Sequence, residues 1–161
     1  SLLSALVLLI VALYDILPAS EQNDTNAIVV FKIICIYAAF AFITNLIREI
    51  VKDLEDLEGD QKMGYETYVI VSGKKKAKNI VQTLSLLTIL GIACILFFQF
   101  QGDLYSFLYV LFFVEFPFLY FVWKLKKAEK SADFYSLSSW IKIIMLSGTI
   151  SMLVFALLMN V

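Results

Sequence analysis

Residues 52–64 read KDLEDLEGDQKMG, and five carboxylates fall between Asp53 and Asp60. A helix turns about 100° per residue, so on a helix Glu49, Asp53, Asp56 and Asp60 share one stripe roughly 40–60° wide, with Asn45 and Lys52 at its edge. Leu46, Ile50, Leu54 and Leu57 form a flanking apolar face, and Glu55 and Glu58 point elsewhere. Gly59 is expected to loosen or end the helix and to set Asp60 slightly off the stripe. Like charges one turn apart repel, and a cation between them removes that repulsion. Carboxylate oxygens are hard ligands that suit magnesium, which takes one or two of them and completes its shell with water and phosphate oxygens. Arg48 and Lys52, upstream, add positive charge that would hold a phosphate beside the metal. The pattern therefore offers a metal–phosphate site, with Asp53, Asp56 and Asp60 on the metal and Lys52 and Arg48 on the phosphate. A solvated run of charge flanking a membrane helix fits the spacing equally well.

The elements that must position this segment follow from the composition. Of 161 residues, 61% are hydrophobic and 17% charged, against about 45–50% and about 25% in a soluble domain. The excess apolar surface has to face lipid, so the chain reads as an all-α integral membrane helical bundle. A net charge of −1 leaves no basic excess for nucleic acid. Histidine is absent, which removes haem ligation, most zinc sites and imidazole as a base. Cys35 and Cys94 lie in apolar runs at a spacing that matches no metal or redox motif.

Apolar runs of about 18 residues or more mark spanning helices. The sequence predicts five, near 1–17, 27–52, 79–100, 104–124 and 137–160, in a single transmembrane domain over 1–161. LPASEQNDTN and QGD break the chain at 17–26 and 101–103. The longer connections, 53–78 and 124–136, are rich in lysine, whereas 18–26 and 101–103 contain no Lys or Arg. Basic and non-basic connections alternate, which places the acidic segment on the cytoplasmic side. The opening run lacks a basic n-region and a cleavage site, so it reads as a spanning helix whose preceding chain is missing rather than a signal peptide. The sequence looks like the C-terminal part of a longer protein.

The stretch REIVKDLEDLEGDQKMGYETYVIVSGKKKA resembles the second aspartate-rich region of the UbiA family of intramembrane prenyltransferases. That family shows a helix ending in DxxxD, often within KDxxDxxGD, followed by GxxT and a glycine before the next helix. Asp56 and Asp60 match the DxxxD pair; Lys52, Asp53 and Gly59 extend it, and Gly64, Thr67 and Gly73 match the downstream marks. The five spans are similar to helices five to nine of the family's nine-helix bundle. The first aspartate-rich motif, of NDxxDxxxD type, has no counterpart here, and Glu66 stands where many members carry a basic residue. The resemblance implies Mg2+-dependent transfer of a prenyl group from an isoprenyl diphosphate to an aromatic or glycerol-phosphate lipid acceptor. It implies a magnesium ion on each motif, the pair gripping the diphosphate, with Lys52 and Arg48 beside it. This chain without the missing N-terminal helices is then expected to be inactive. The KDxxDxxGD form leans towards glycerol-phosphate lipid or homogentisate-like acceptors.

Glu115, in VLFFVEFPFLY, sits where a charge is costly; it reads as a structural, protonated or hydrogen-bonded residue, with Pro117 kinking the helix beside it. Lys32 and Lys142 read as snorkelling side chains. The competing function is a membrane transporter or channel fragment with an acidic cytoplasmic cation site. Against it, transporter sites usually lie near the bilayer midplane.

Overall fold

The computed structural model describes residue 10 and residues 25–99 and 104–158. Most of the predicted span 1–17, most of the connection after it and the turn 101–103 lie outside the described residues. Among those described there is no strand, and four helices are long and apolar enough to cross a membrane.

Helix α1 is Thr25–Met63, 39 residues. At 1.5 Å per residue it is about 58 Å long, roughly twice the hydrocarbon thickness of a bilayer, so its charged end projects past the apolar layer. It runs through Gly59 instead of loosening there. The neighbours Leu57, Glu58, Gln61 and Lys62 are strong helix formers, and one interior glycine costs only about 1 kcal/mol against them. The stop is Gly64, at φ 74°. Its N–H bonds Gln61 O at 3.3 Å while Tyr65 N–H reaches back to Asp60 O at 3.0 Å, the paired bonds of a Schellman cap.

An added Cβ meets nothing within 4 Å at Gly59 or Gly64, so backbone conformation alone separates them. Gly64→Ala is expected to cost about 1 kcal/mol for the left-handed geometry, and Gly59→Ala to gain about 0.5–1 kcal/mol. Denaturant unfolding of the detergent-solubilised protein measures both; shifts of the same sign would contradict this account of the helix end.

A short helix α2, Tyr68–Ser72, ends at Gly73, whose φ 85° and ψ 148° belong to a region essentially reserved for glycine. Helix α3, Lys74–Gln99, starts five residues earlier than the hydropathy pattern predicts. Its first turns are polar lysines, two of which bond backbone carbonyls after the next hairpin: Lys74 Nζ on Glu129 O, and Lys78 Nζ on Ala128 O at 2.7 Å.

Helix α4, Leu104–Val110, passes through a π-helical turn, Leu111–Glu115, into α5, Phe116–Lys127. Phe116 N–H bonds Leu111 O, five residues back. Pro117 has no N–H and its ring crowds the carbonyl four residues earlier, and a widened turn accommodates this where the sequence predicts a kink. Helix α6 is Ser131–Leu158, opened by Asp133, whose Oδ2 accepts from the backbone N–H of Glu129 and Lys130, both at 3.0 Å.

The chain divides into two compact units, Ser1–Leu46 and Ile47–Val161. In the second, α5 packs on both α3 and α6. Phe118, Phe121 and Leu125 of α5, with Phe134, Leu137, Ile141 and Ile144 of α6, form its core and are at most 1% exposed. Outward-facing Leu87, Leu90 and Phe97 present the apolar surface that the composition requires to meet lipid. Cys35 and Cys94 are free thiols.

Candidate functional site

Beyond Leu46, the buried face of α1 is Ile47, Ile50, Val51 and Leu54, an i, i+3, i+4, i+7 stripe. This corrects the predicted apolar face: Leu46 and Leu57 are only half-buried, and Ile47 and Val51 take the innermost positions. The packed side is rotated by roughly 55°, about half a residue step, round the helix from the predicted one. Asp53, Asp56 and Asp60 lie about 140° away from it. Asp56 is exposed, and Asp53 and Asp60 are half-buried. The aspartates thus face away from the side of α1 that is packed.

The charges of the stripe act together on Asp53. Partial burial pushes the Asp53 carboxyl above the usual carboxylate range, and the charges of Asp60, Glu49 and Asp56 push it further. Acids crowded this way favour a bound cation.

Lys52 is not free beside the stripe. Its ammonium donates to Glu55 Oε1 at 2.8 Å and lies 3.1 Å from Asp56 Oδ2. Glu55, which the helical stripe leaves aside, is therefore joined to Asp56 through Lys52, and its i, i+3 spacing from Lys52 is the signal that points to this pair. Its backbone carbonyl accepts a 2.8 Å hydrogen bond from Ser131 Oγ, which ties this turn of α1 to the start of α6. Glu58 is exposed and turned off the stripe. Arg48 Nε, Glu55 Oε2 and Thr67 Oγ1 are buried with no hydrogen-bond partner among the described residues. Arg48 and Thr67, both singled out by the sequence, thus each hold one buried, unpartnered polar atom near the acidic turn in the chain.

Among the described residues no three Cys, Asp or Glu side chains gather as a metal-holding group. The stripe offers hard oxygens from one helix face only. Such a set suits magnesium, which takes one or two carboxylates and otherwise keeps water and phosphate oxygens, better than a calcium site of six to eight oxygens.

The profile of the UbiA prenyltransferase family matches residues 2–147. The chain belongs to the UbiA family. With its four long apolar helices, this UbiA protein is an integral, multi-pass membrane protein. It is similar to three archaeal proteins named digeranylgeranylglyceryl phosphate synthase. That of Korarchaeum cryptofilum is 35% identical over 81% of this chain and 44% of its own length. The Methanosphaera stadtmanae protein is 30% identical over 70% of the chain and 40% of its own length. The Pyrococcus abyssi protein is 47% identical over a shorter stretch, 33% of the chain and 19% of its own length. The chain thus spans less than half the length of these relatives. No solved structure matches it significantly.

Proposed function

We propose that the aspartate face of α1 is one half of the magnesium and diphosphate site of a prenyltransferase whose acceptor is a glycerol-phosphate lipid. The observation that carries this is the Asp53–Asp56–Asp60 stripe, mutually charged and turned away from the packed face, in a chain of the UbiA family. Asp56 and Asp60, one turn apart, hold the metal, with Asp53 alongside. Lys52, on an exposed and weakly held ion pair, turns from Asp56 to a phosphate oxygen, and Arg48 brings a second cation with an unpartnered Nε. Bound magnesium offsets the negative charge that builds up on the departing diphosphate. The N-terminal helices of the complete protein supply the opposing aspartates.

The relatives' name, digeranylgeranylglyceryl phosphate synthase, favours the glycerol-phosphate acceptor over an aromatic one. Membranes carrying the chain together with its N-terminal helices, given a labelled isoprenyl diphosphate, should label a prenylated glycerol-phosphate lipid in preference to hydroxybenzoate. Membranes carrying the chain alone should be silent. Label chiefly in the aromatic compound would overturn the acceptor assignment.

We further propose, from the lysine-rich connections, that this end of the protein faces the cytoplasm. In a background with Cys35 and Cys94 replaced, cysteines at Glu58 and Lys130 should react with an impermeant maleimide only when the cytoplasmic face is open. Reaction in intact cells would reverse the orientation.

A further inference from the structure

A second charged feature lies where α3 begins and α5 ends, and it is lined by none of the stripe's aspartates. A cavity of about 470 Å³ opens there, lined by Lys74, Lys75 and Lys78 of α3, Gln82 one turn on, Lys126 of α5 and Glu129. Four lysines and one glutamate are among its lining residues. Lys74 and Lys78 are fixed by the α5 terminus: Lys74 Nζ bonds Glu129 O, and Lys78 Nζ bonds Ala128 O at 2.7 Å and Lys126 O at 3.4 Å. These contacts satisfy helix-end carbonyls, yet each ammonium has three donors, so both lysines keep N–H groups for a ligand. Lys75 and Lys126 are exposed.

This arrangement is electrostatically incomplete. The first turn of α3 has no acid, and cations at a helix N-terminus oppose its dipole. An anion in the cavity would relieve the crowding of lysines and the unfavourable dipole they meet. The depth of the site says which anion is at hand. The apolar part of α3 begins at Ile80, just past the lysines. On the exposed side of α5, Lys127 Nζ stands 3.8 Å from the centroid of the Trp123 ring, a cation–π pair of residue types that mark the headgroup level of a bilayer. Basic pockets between membrane helices at that level are suited to lipid phosphates.

We propose that this cavity is a phosphate-binding site, filled by the headgroup of an anionic membrane lipid. It uses no residue of the aspartate stripe and stands independently of the reaction proposed above. Lipid retention by the detergent-solubilised protein tests it, with dioleoylphosphatidylglycerol and dioleoylphosphatidylcholine as probes and radiolabelled inorganic phosphate in a third arm. The wild-type protein should prefer phosphatidylglycerol. Lys75→Gln with Lys126→Gln should weaken that lipid roughly thirtyfold and leave phosphatidylcholine unchanged, which also shows that the variant is folded. Lys62→Gln with Lys130→Gln removes the same charge outside the cavity lining and should change neither. Binding of inorganic phosphate through Lys75 and Lys126, without any lipid preference, would keep the phosphate site but overturn its lipid occupant. Equal retention of the two lipids with no phosphate binding, or equal losses in the two double variants, would overturn the site itself.

Discussion

Replacing Asp56 or Asp60 by alanine is expected to lower prenyl transfer by the complete protein at least roughly a hundredfold to a thousandfold, the scale on which single charge-stabilising groups act. Neither substitution should unfold the bundle, because both side chains lie away from the buried Ile47–Val51–Leu54 face. Each removes a hard oxygen from a stripe on which a metal would have few protein ligands, so water cannot restore the site at ordinary magnesium concentrations. The contrast lies with the neighbouring acids. Glu58→Ala, on an exposed residue off the stripe, should leave activity near that of the wild type. Glu55→Ala should fall between, since it breaks the 2.8 Å bond to Lys52 without touching the metal face. Labelled-prenyl assays on the four variants decide it, and equal losses in all four would remove the assignment of Asp56 and Asp60.

Much of this was open to reading from the residues. Helical spacing was enough to group Glu49, Asp53, Asp56 and Asp60, and the charges acting on Asp53 come from those same positions. Periodicity alone did not fix the phase of the apolar side, because several leucines compete for it and only packing selects Ile47 and Val51. Gly59 and Gly64 look alike in sequence; what separates them is the run of strong helix formers around Gly59 and the paired cap bonds that follow Gly64. The start of α3 was misplaced because Lys74 and Lys78 are held by backbone carbonyls beyond Lys124, and carbonyls leave no mark in a sequence. Glu115 is buried at the π-helical turn, and its Oε2 has no hydrogen-bond partner among the described residues. The candidate site was legible only on the face that α1 carries. Among the described residues no three Cys, Asp or Glu side chains gather there as a metal-holding group.

The central claim is that the acids of α1 act through a magnesium ion. Partial burial, and then the charges of Asp60, Glu49 and Asp56, push the Asp53 carboxyl upward, so that face is already short of positive charge. An isoprenyl diphosphate brings several more negative charges to that face, and the ammonium of Lys52 is already shared between Glu55 and Asp56. Without a divalent cation the donor should be repelled and its leaving group left uncompensated. The most direct measurement is labelled-prenyl transfer by the complete protein, first in EDTA and then across a magnesium titration. Transfer should drop to background in EDTA and return with added magnesium, with Asp60→Ala needing far more of the ion if it responds at all. Transfer that persists undiminished in EDTA would contradict the account.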